Sequence, residues 1–140
     1  MTQPLENLAR IGQLKAEPAS AREIDGMLRM ARTRLADARN ATVSSEGRFT
    51  SAYSASHAAA LAALRWYGYR SENRYTVFQC LAHTVGWPPA RWRALDAAHR
   101  QRNRLEYEGY ADIPPSTVDE LCTLTEQLIN EVAGLVQPKS

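Results

Sequence analysis

Apolar residues recur at steps of three and four along most of the chain, a spacing that predicts amphipathic α-helices. A first helix is expected to open with Ser20–Glu23, whose residue types form a capping box. A second, alanine-rich helix is expected from about Phe49 to Tyr67, after the polar run 42–48. The apolar stripe of the first helix consists of Ile24, Met27, Leu28, Ala31, Leu35 and Ala38.

Three further helices complete the pattern. A short third helix is expected to end at Gly86, and a fourth to run from Ala90 to about Glu108 with Gly109 as its cap. The last helix is expected to begin at a second capping box, Thr117–Glu120, with Ser116 as an alternative cap. Its apolar stripe consists of Val118, Leu121, Leu124, Leu128, Val132 and Leu135.

No segment alternates apolar and polar residues as a half-buried strand does. The expected fold class is therefore all-α, an up-and-down bundle of about four to five main helices. The bundle is predicted to span residues 20–137. Residues 1–19, which run into Pro18, are predicted to form an N-terminal arm or a short helix.

Composition narrows the class of protein without naming a partner. The 140 residues fit one domain, and a net charge of +2 requires any nucleic-acid contact to use a local basic patch. Cys80 and Cys122 lack metal-ligand spacing and are interpreted as buried thiols in a reducing compartment, so no metal or cofactor is expected. With no secretion signal and no apolar run of about 20 residues, we expect a cytoplasmic protein without a membrane span.

The fourth helix departs from the apolar pattern in its second half. On a helical wheel, Trp92 and Leu95 define an apolar sector that polar side chains then occupy. Those polar residues are His99, Arg102, Asn103 and Glu106, with Tyr107 at the edge of the sector. One interpretation is a solvated helix end with one surface ion pair, Arg102–Glu106. The other is a polar cleft, at a dimer interface, that receives a phosphate or a base.

Three arginines of the same helix form a basic stripe on a neighbouring face: Arg93, Arg100 and Arg104. A solvated arginine face is the ordinary explanation of such a stripe. The same stripe also suits a nucleic-acid phosphate backbone.

Two segments resemble the HEPN family, small helical bundles of prokaryotic toxin–antitoxin and defence systems. The alanine-rich segment Tyr53–Leu64 is similar to the family's aromatic- and alanine-rich helix, and the similarity in helix order extends over Ser20–Val136. Arg102 and Asn103 match the arginine and the polar residue of the family's motif. Tyr107 stands where that motif has its histidine.

The resemblance implies a homodimer in which motif residues of two subunits meet in a cleft and cleave RNA without a metal. Because Tyr107 is a poor base at neutral pH, our leading hypothesis is a dimeric module with a degenerate motif. Such a module would bind RNA, a nucleotide or a partner protein such as a cognate antitoxin. The alternatives are an active endoribonuclease that uses Arg102 with His99 or Tyr107, and a helical interaction protein without a ligand.

Overall fold

The computed structural model describes residues 3–109 and 112–136, and it confirms the all-α fold class. Five helices of eight or more residues and two shorter ones accompany one pair of two-residue strands in these ranges. In chain order the elements are α1 Gln3–Arg10, β1 Lys15–Ala16, α2 Ala21–Ala38, α3 Ser45–Trp66, β2 Tyr69–Arg70, α4 Arg74–Gln79, α5 Leu81–Thr84, α6 Pro89–Glu108 and α7 Pro115–Leu135.

Helix α3 is the centre of the bundle. It packs mainly against α2 and α7, and it also contacts α4, α5 and α6. Small side chains make this central position possible, because neighbouring helices approach an alanine face closely. The alanines of α3 that have no exposed surface are Ala52, Ala55, Ala59, Ala62 and Ala63.

The predicted apolar stripes lie in the core. Ile24, Leu28 and Leu35 of α2 are buried, and Val118, Leu121, Leu128 and Val132 of α7 are buried with them. Cys80 and Cys122 are buried thiols, as expected from their apolar neighbours. No helix within 3–109 and 112–136 combines the length and the apolar character that a membrane span needs.

The N-terminal segment forms a short helix followed by a strand that docks on the bundle. Lys15 pairs with Arg70 and Ala16 with Tyr69 in an antiparallel ladder. The ladder is a local addition to the all-α fold that the sequence pattern did not predict. Leu5 of α1 is buried in the same core as α2 and α3.

A buried arginine fastens this segment to the end of α3. Arg65 is 4% exposed, and its Nε donates to the Glu23 carboxylate at 2.7 Å. Its two Nη atoms donate to the backbone carbonyls of Glu17 and Pro18 at 2.6 and 3.1 Å. The guanidinium thus ties the start of α2 and the segment before it to the central helix.

Several predicted helix ends differ from the observed ones. Helix α3 begins at Ser45, because Ser44 caps it by accepting from Gly47 N at 3.1 Å. The predicted short third helix is two pieces, α4 and α5, which meet at Cys80. Helix α7 begins at Pro115, and the predicted capping box at Thr117–Glu120 is wrong because no side chain caps this end.

Two predicted ends are confirmed. Ser20 accepts from Glu23 N at 3.1 Å, as the first capping box requires. Gly109 ends α6 in the left-handed region with a φ of 75°, where a side chain would be strained.

Candidate functional site

A buried tyrosine of α3 organises the polar residues of α6. Tyr53 is 1% exposed, and its hydroxyl lies 3.1 Å from Nδ1 of His99. The two rings stack with their centroids 5.9 Å apart. Arg74, the first residue of α4, donates from Nη1 to the same hydroxyl at 2.9 Å. Three helices therefore converge on one phenolic oxygen.

Two more side chains complete what we call the Tyr53 cluster: Tyr53, His57, Arg74, His99 and Arg102. His57 lies one turn after Tyr53 on α3, and its ring meets Phe78 edge-on with centroids 5.9 Å apart. The Arg102 guanidinium carbon lies 5.6 Å from the centre of the Tyr53 ring, and that of Arg74 lies at 5.5 Å. Two cations thus contact one aromatic ring.

Both ring nitrogens of His99 have a polar partner. Nδ1 faces the Tyr53 hydroxyl, and Nε2 lies 3.3 Å from Asn103 Nδ2. The Tyr53 oxygen accepts from Arg74, and the direction of its bond with Nδ1 is set by the tautomer of His99. Asn103, the partner of Nε2, is exposed.

Both histidines of the cluster are held in their neutral form. Burial lowers the pKa of His57 from 6.5 to about 4, and the charges of Arg74, His99 and Arg102 act in the same direction. Burial also lowers the pKa of His99; Asp96 opposes this shift, and Arg74 and Arg102 add to it. At neutral pH the two rings therefore offer lone pairs beside two guanidinium groups.

The two guanidinium groups differ in their anionic partners. Arg102 forms an ion pair with Glu106 at 2.9 Å across one turn of α6. Its Nε is buried and has no hydrogen-bond acceptor among the described residues, which is an unfavourable state for a donor. Arg74 has no carboxylate within 4.0 Å among the residues of 3–109 and 112–136. Its charge is available to an anionic ligand.

The polar residues that were predicted to form a cluster on α6 differ from one another in their surroundings. His99, Arg102 and Asn103 are brought together with Tyr53, and Arg102 pairs with Glu106. Tyr107 projects into solvent with 93% of its surface exposed. Within one chain, therefore, Tyr107 does not stand beside His99 and Arg102.

The basic stripe is exposed, and it is partly neutralised by its own helix. Arg100 lies 3.7 Å from Asp96, and Arg104 lies 3.9 Å from Glu108. Arg93 covers the ring of Trp92, with its guanidinium carbon 5.3 Å from the ring centre. A role of these arginines in nucleic-acid binding stays a prediction.

Three residues of the cluster were not predicted as site residues: Tyr53, His57 and Arg74. Tyr53 and His57 are one turn apart and so share a face of α3, but this spacing does not show which helix covers that face. Arg74 carried no signal, because it lies at the start of a short helix behind the Asn73 cap. Its approach to Tyr53 depends on tertiary packing.

Comparison of the chain with protein-family models, curated proteins and solved structures found no match. Within the part of the chain that the structure describes, no group of three or more histidine, cysteine, aspartate or glutamate residues is placed to hold a metal ion.

Proposed function

We propose that the Tyr53 cluster binds a phosphate group of RNA or of a nucleotide, in a HEPN-like homodimeric module of a toxin–antitoxin or defence system. The observation that carries this proposal is the guanidinium of Arg74, which has no carboxylate partner among the described residues and lies beside two neutral histidines and Arg102. Arginine is well suited to phosphate because its planar fork donates two parallel hydrogen bonds.

The cluster offers donors of different strengths to such a ligand. Arg74 and Arg102 supply charge, and the buried Nε of Arg102 gains the acceptor that it lacks. His57 and His99 take up protons more readily once an anion is near, because an opposite charge favours the charged form of the ring. Phosphate binding is therefore expected to strengthen as the pH falls from 7 to 6.

Binding of a fluorescein-labelled single-stranded RNA, followed by fluorescence anisotropy, tests this proposal. Arg74→Ala and Arg102→Ala are each expected to weaken binding about tenfold and to reduce the slope of log K against log salt by about 0.7. Arg34→Ala is the matched control, because Arg34 is an exposed arginine of α2 paired with Asp37 at 3.8 Å. Equal losses in all three variants, or no binding by the wild type to RNA or AMP, would refute the proposal.

A second candidate function is metal-independent RNA cleavage, which the neutral state of His99 favours. In the tautomer that carries the ring proton on Nδ1, its Nε2 would take the proton of a ribose 2′-hydroxyl as that oxygen attacks phosphorus. Arg102 would balance the charge of the phosphorane, and the 5′-oxygen would leave with a proton from water, giving a cyclic phosphate end. Asn103 must first move away from Nε2.

Cleavage of a purified RNA in the presence of EDTA distinguishes this candidate from binding alone. If the protein is a ribonuclease, Arg102→Ala and His99→Gln abolish cleavage and Tyr107→Phe does not. Cleavage that survives both substitutions would come from another site or a contaminant. Absence of cleavage in the wild type, with RNA binding retained, would leave the binding module as the function.

The oligomeric state of a variant distinguishes the third alternative, a structural interaction protein without a ligand, from the other two. A module that uses the cluster for ligand binding keeps its dimer when Arg102 is replaced by alanine. If the cluster only sets the geometry of the dimer, the same substitution is expected to produce a monomer. Size-exclusion chromatography with light scattering measures the difference, and co-purification with a neighbouring gene product tests an antitoxin partner.

A further inference from the structure

Helices α6 and α7 flank an open groove on a different face of α6 from the Tyr53 cluster. The groove has a volume of about 280 Å³. Its base contains Phe49 and Ala98, both buried, and Leu121 lies beside them. Ala94 and Ala97 of α6 and Leu124 of α7 form apolar parts of its walls. Because α6 packs mainly on α4 and α3, whereas α7 packs on α3 and α2, the two helices leave this space between them.

The α7 wall of the groove is acidic. Glu120 lines the groove, and a second depression along α7 contains Glu120 and Asp119 together with Thr123, Leu124 and Gln127. Of the four carboxylates of α7, three pair with arginines of other elements: Asp119 with Arg48, Glu126 with Arg39 and Glu131 with Arg91. Asp119 is 70% exposed although it pairs with Arg48, and no ion pair within 3–109 and 112–136 involves Glu120. Glu120 and the exposed side of Asp119 are therefore the carboxylates of this wall that a partner can contact.

We propose that this groove docks an amphipathic α-helix of a partner protein. The apolar ridge of that helix fills the space over Phe49, and a basic flank faces Asp119 and Glu120. A helix suits a groove bounded by two helices, since side chains at steps of three and four enter it from one face. Nucleic acid does not fit, because its phosphates would meet the two carboxylates.

The α6 side of the groove does not cancel this charge. Its exposed arginines, Arg100 and Arg104, lie 3.7 Å from Asp96 and 3.9 Å from Glu108 of the same helix. The proposal does not depend on the function of the Tyr53 cluster, which uses other residues.

Two designed peptides of opposite charge test the groove. The probes are a labelled amphipathic leucine–lysine helix and the same peptide with each lysine replaced by glutamate. We expect the lysine peptide to bind at least about tenfold more tightly at about 0.15 M salt. The protein's net charge of +2 does not itself attract this peptide, so the preference must arise from a local surface.

Three variants locate the binding surface. Ala97→Trp fills the groove from an exposed position and is expected to abolish peptide binding while the helical circular dichroism is retained. Glu120→Lys is expected to weaken the lysine peptide about tenfold and to strengthen the glutamate peptide. Asp25→Lys, an exposed carboxylate of α2, is the matched control and is expected to change neither affinity by more than about twofold.

Several outcomes would overturn the proposal. Equal binding of the lysine peptide to Ala97→Trp and to the wild type places the contact elsewhere. If Asp25→Lys weakens binding of the lysine peptide as much as Glu120→Lys does, the binding is general electrostatic attraction. A wild-type dimer that Ala97→Trp dissociates shows that a second copy of the chain occupies the groove. No binding of either peptide at about 1 mM excludes a helix-docking site of useful affinity.

Discussion

His57 gives the protein a stability that depends on pH in a predictable range. Its ring lies on α3 against Phe78, with Arg74 and Arg102 near enough to disfavour its charged form. Burial is the largest cause of the shift, and it lowers the pKa of His57 from 6.5 to about 4. The unfolded chain exposes the ring to water, where it takes up a proton near pH 6.5.

The sign and the size of the effect follow from this difference in pKa. Above pH 6.5 the ring is neutral in both states and does not make stability depend on pH. Between pH 6.5 and 4 the unfolded chain binds the proton and the folded chain does not, so the free energy of unfolding falls as the pH falls. A pKa lowered from 6.5 to about 4 corresponds to a loss of about 3 kcal/mol once the pH is below both values.

Urea unfolding of the wild type and His57→Gln from pH 7.5 to pH 4 measures this loss. Glutamine at position 57 cannot take up the proton. As the pH falls from 7.5 to 4, the free energy of unfolding of the variant should therefore rise by about 3 kcal/mol relative to that of the wild type. His83→Gln is the control, because His83 is exposed on α5, and its curve should run parallel to that of the wild type. Parallel curves for His57→Gln and the wild type would refute the reasoning.

Other substitutions test the fold and the cluster. Arg65→Ala should lower the free energy of unfolding by about 2–4 kcal/mol, because a buried guanidinium and its bonds to Glu23 and two carbonyls are lost. A decrease under about 1 kcal/mol in urea unfolding would contradict this expectation. Tyr53→Phe keeps the ring but removes the bond that Arg74 donates, so we expect about 1–2 kcal/mol by the same assay, and an unchanged midpoint would speak against the hydrogen bond. Gly109→Ala should cost about 1 kcal/mol in thermal unfolding because its φ is 75°; a neutral effect would show that the chain ends α6 differently.

The helices were predictable because the information lies in local spacing. The stripes on α2 and α7 repeat every three or four residues, and burial follows them closely. The start of α3 was harder to predict, because residues 42–48 are polar. Arg48 donates to the Ala38 carbonyl at 2.7 Å and to Asp119 at 3.2 Å, so tertiary contacts support a polar first turn.

The site was less predictable, because it joins residues that are distant in the chain. The wheel of α6 indicated that His99 and Arg102 interrupt an apolar sector, and the structure places a hydroxyl from α3 and a cation from α4 in front of them. The sequence of each helix taken alone does not indicate that residues of α3, α4 and α6 come into contact. The exposure of Tyr107 was also not predictable, because a residue at the edge of a helical face is buried or exposed according to the helices that pack beside it.

Nuclear magnetic resonance of the histidine rings during titration with a short single-stranded RNA tests phosphate binding at the Tyr53 cluster most directly. The chain has three histidines, of which His57 and His99 belong to the cluster and His83 is exposed on α5. We predict that RNA shifts the resonances of His57 and His99, raises the pKa of both rings, and leaves His83 unchanged. Saturating RNA that leaves His57 and His99 unmoved, or that moves all three rings alike, would contradict the account.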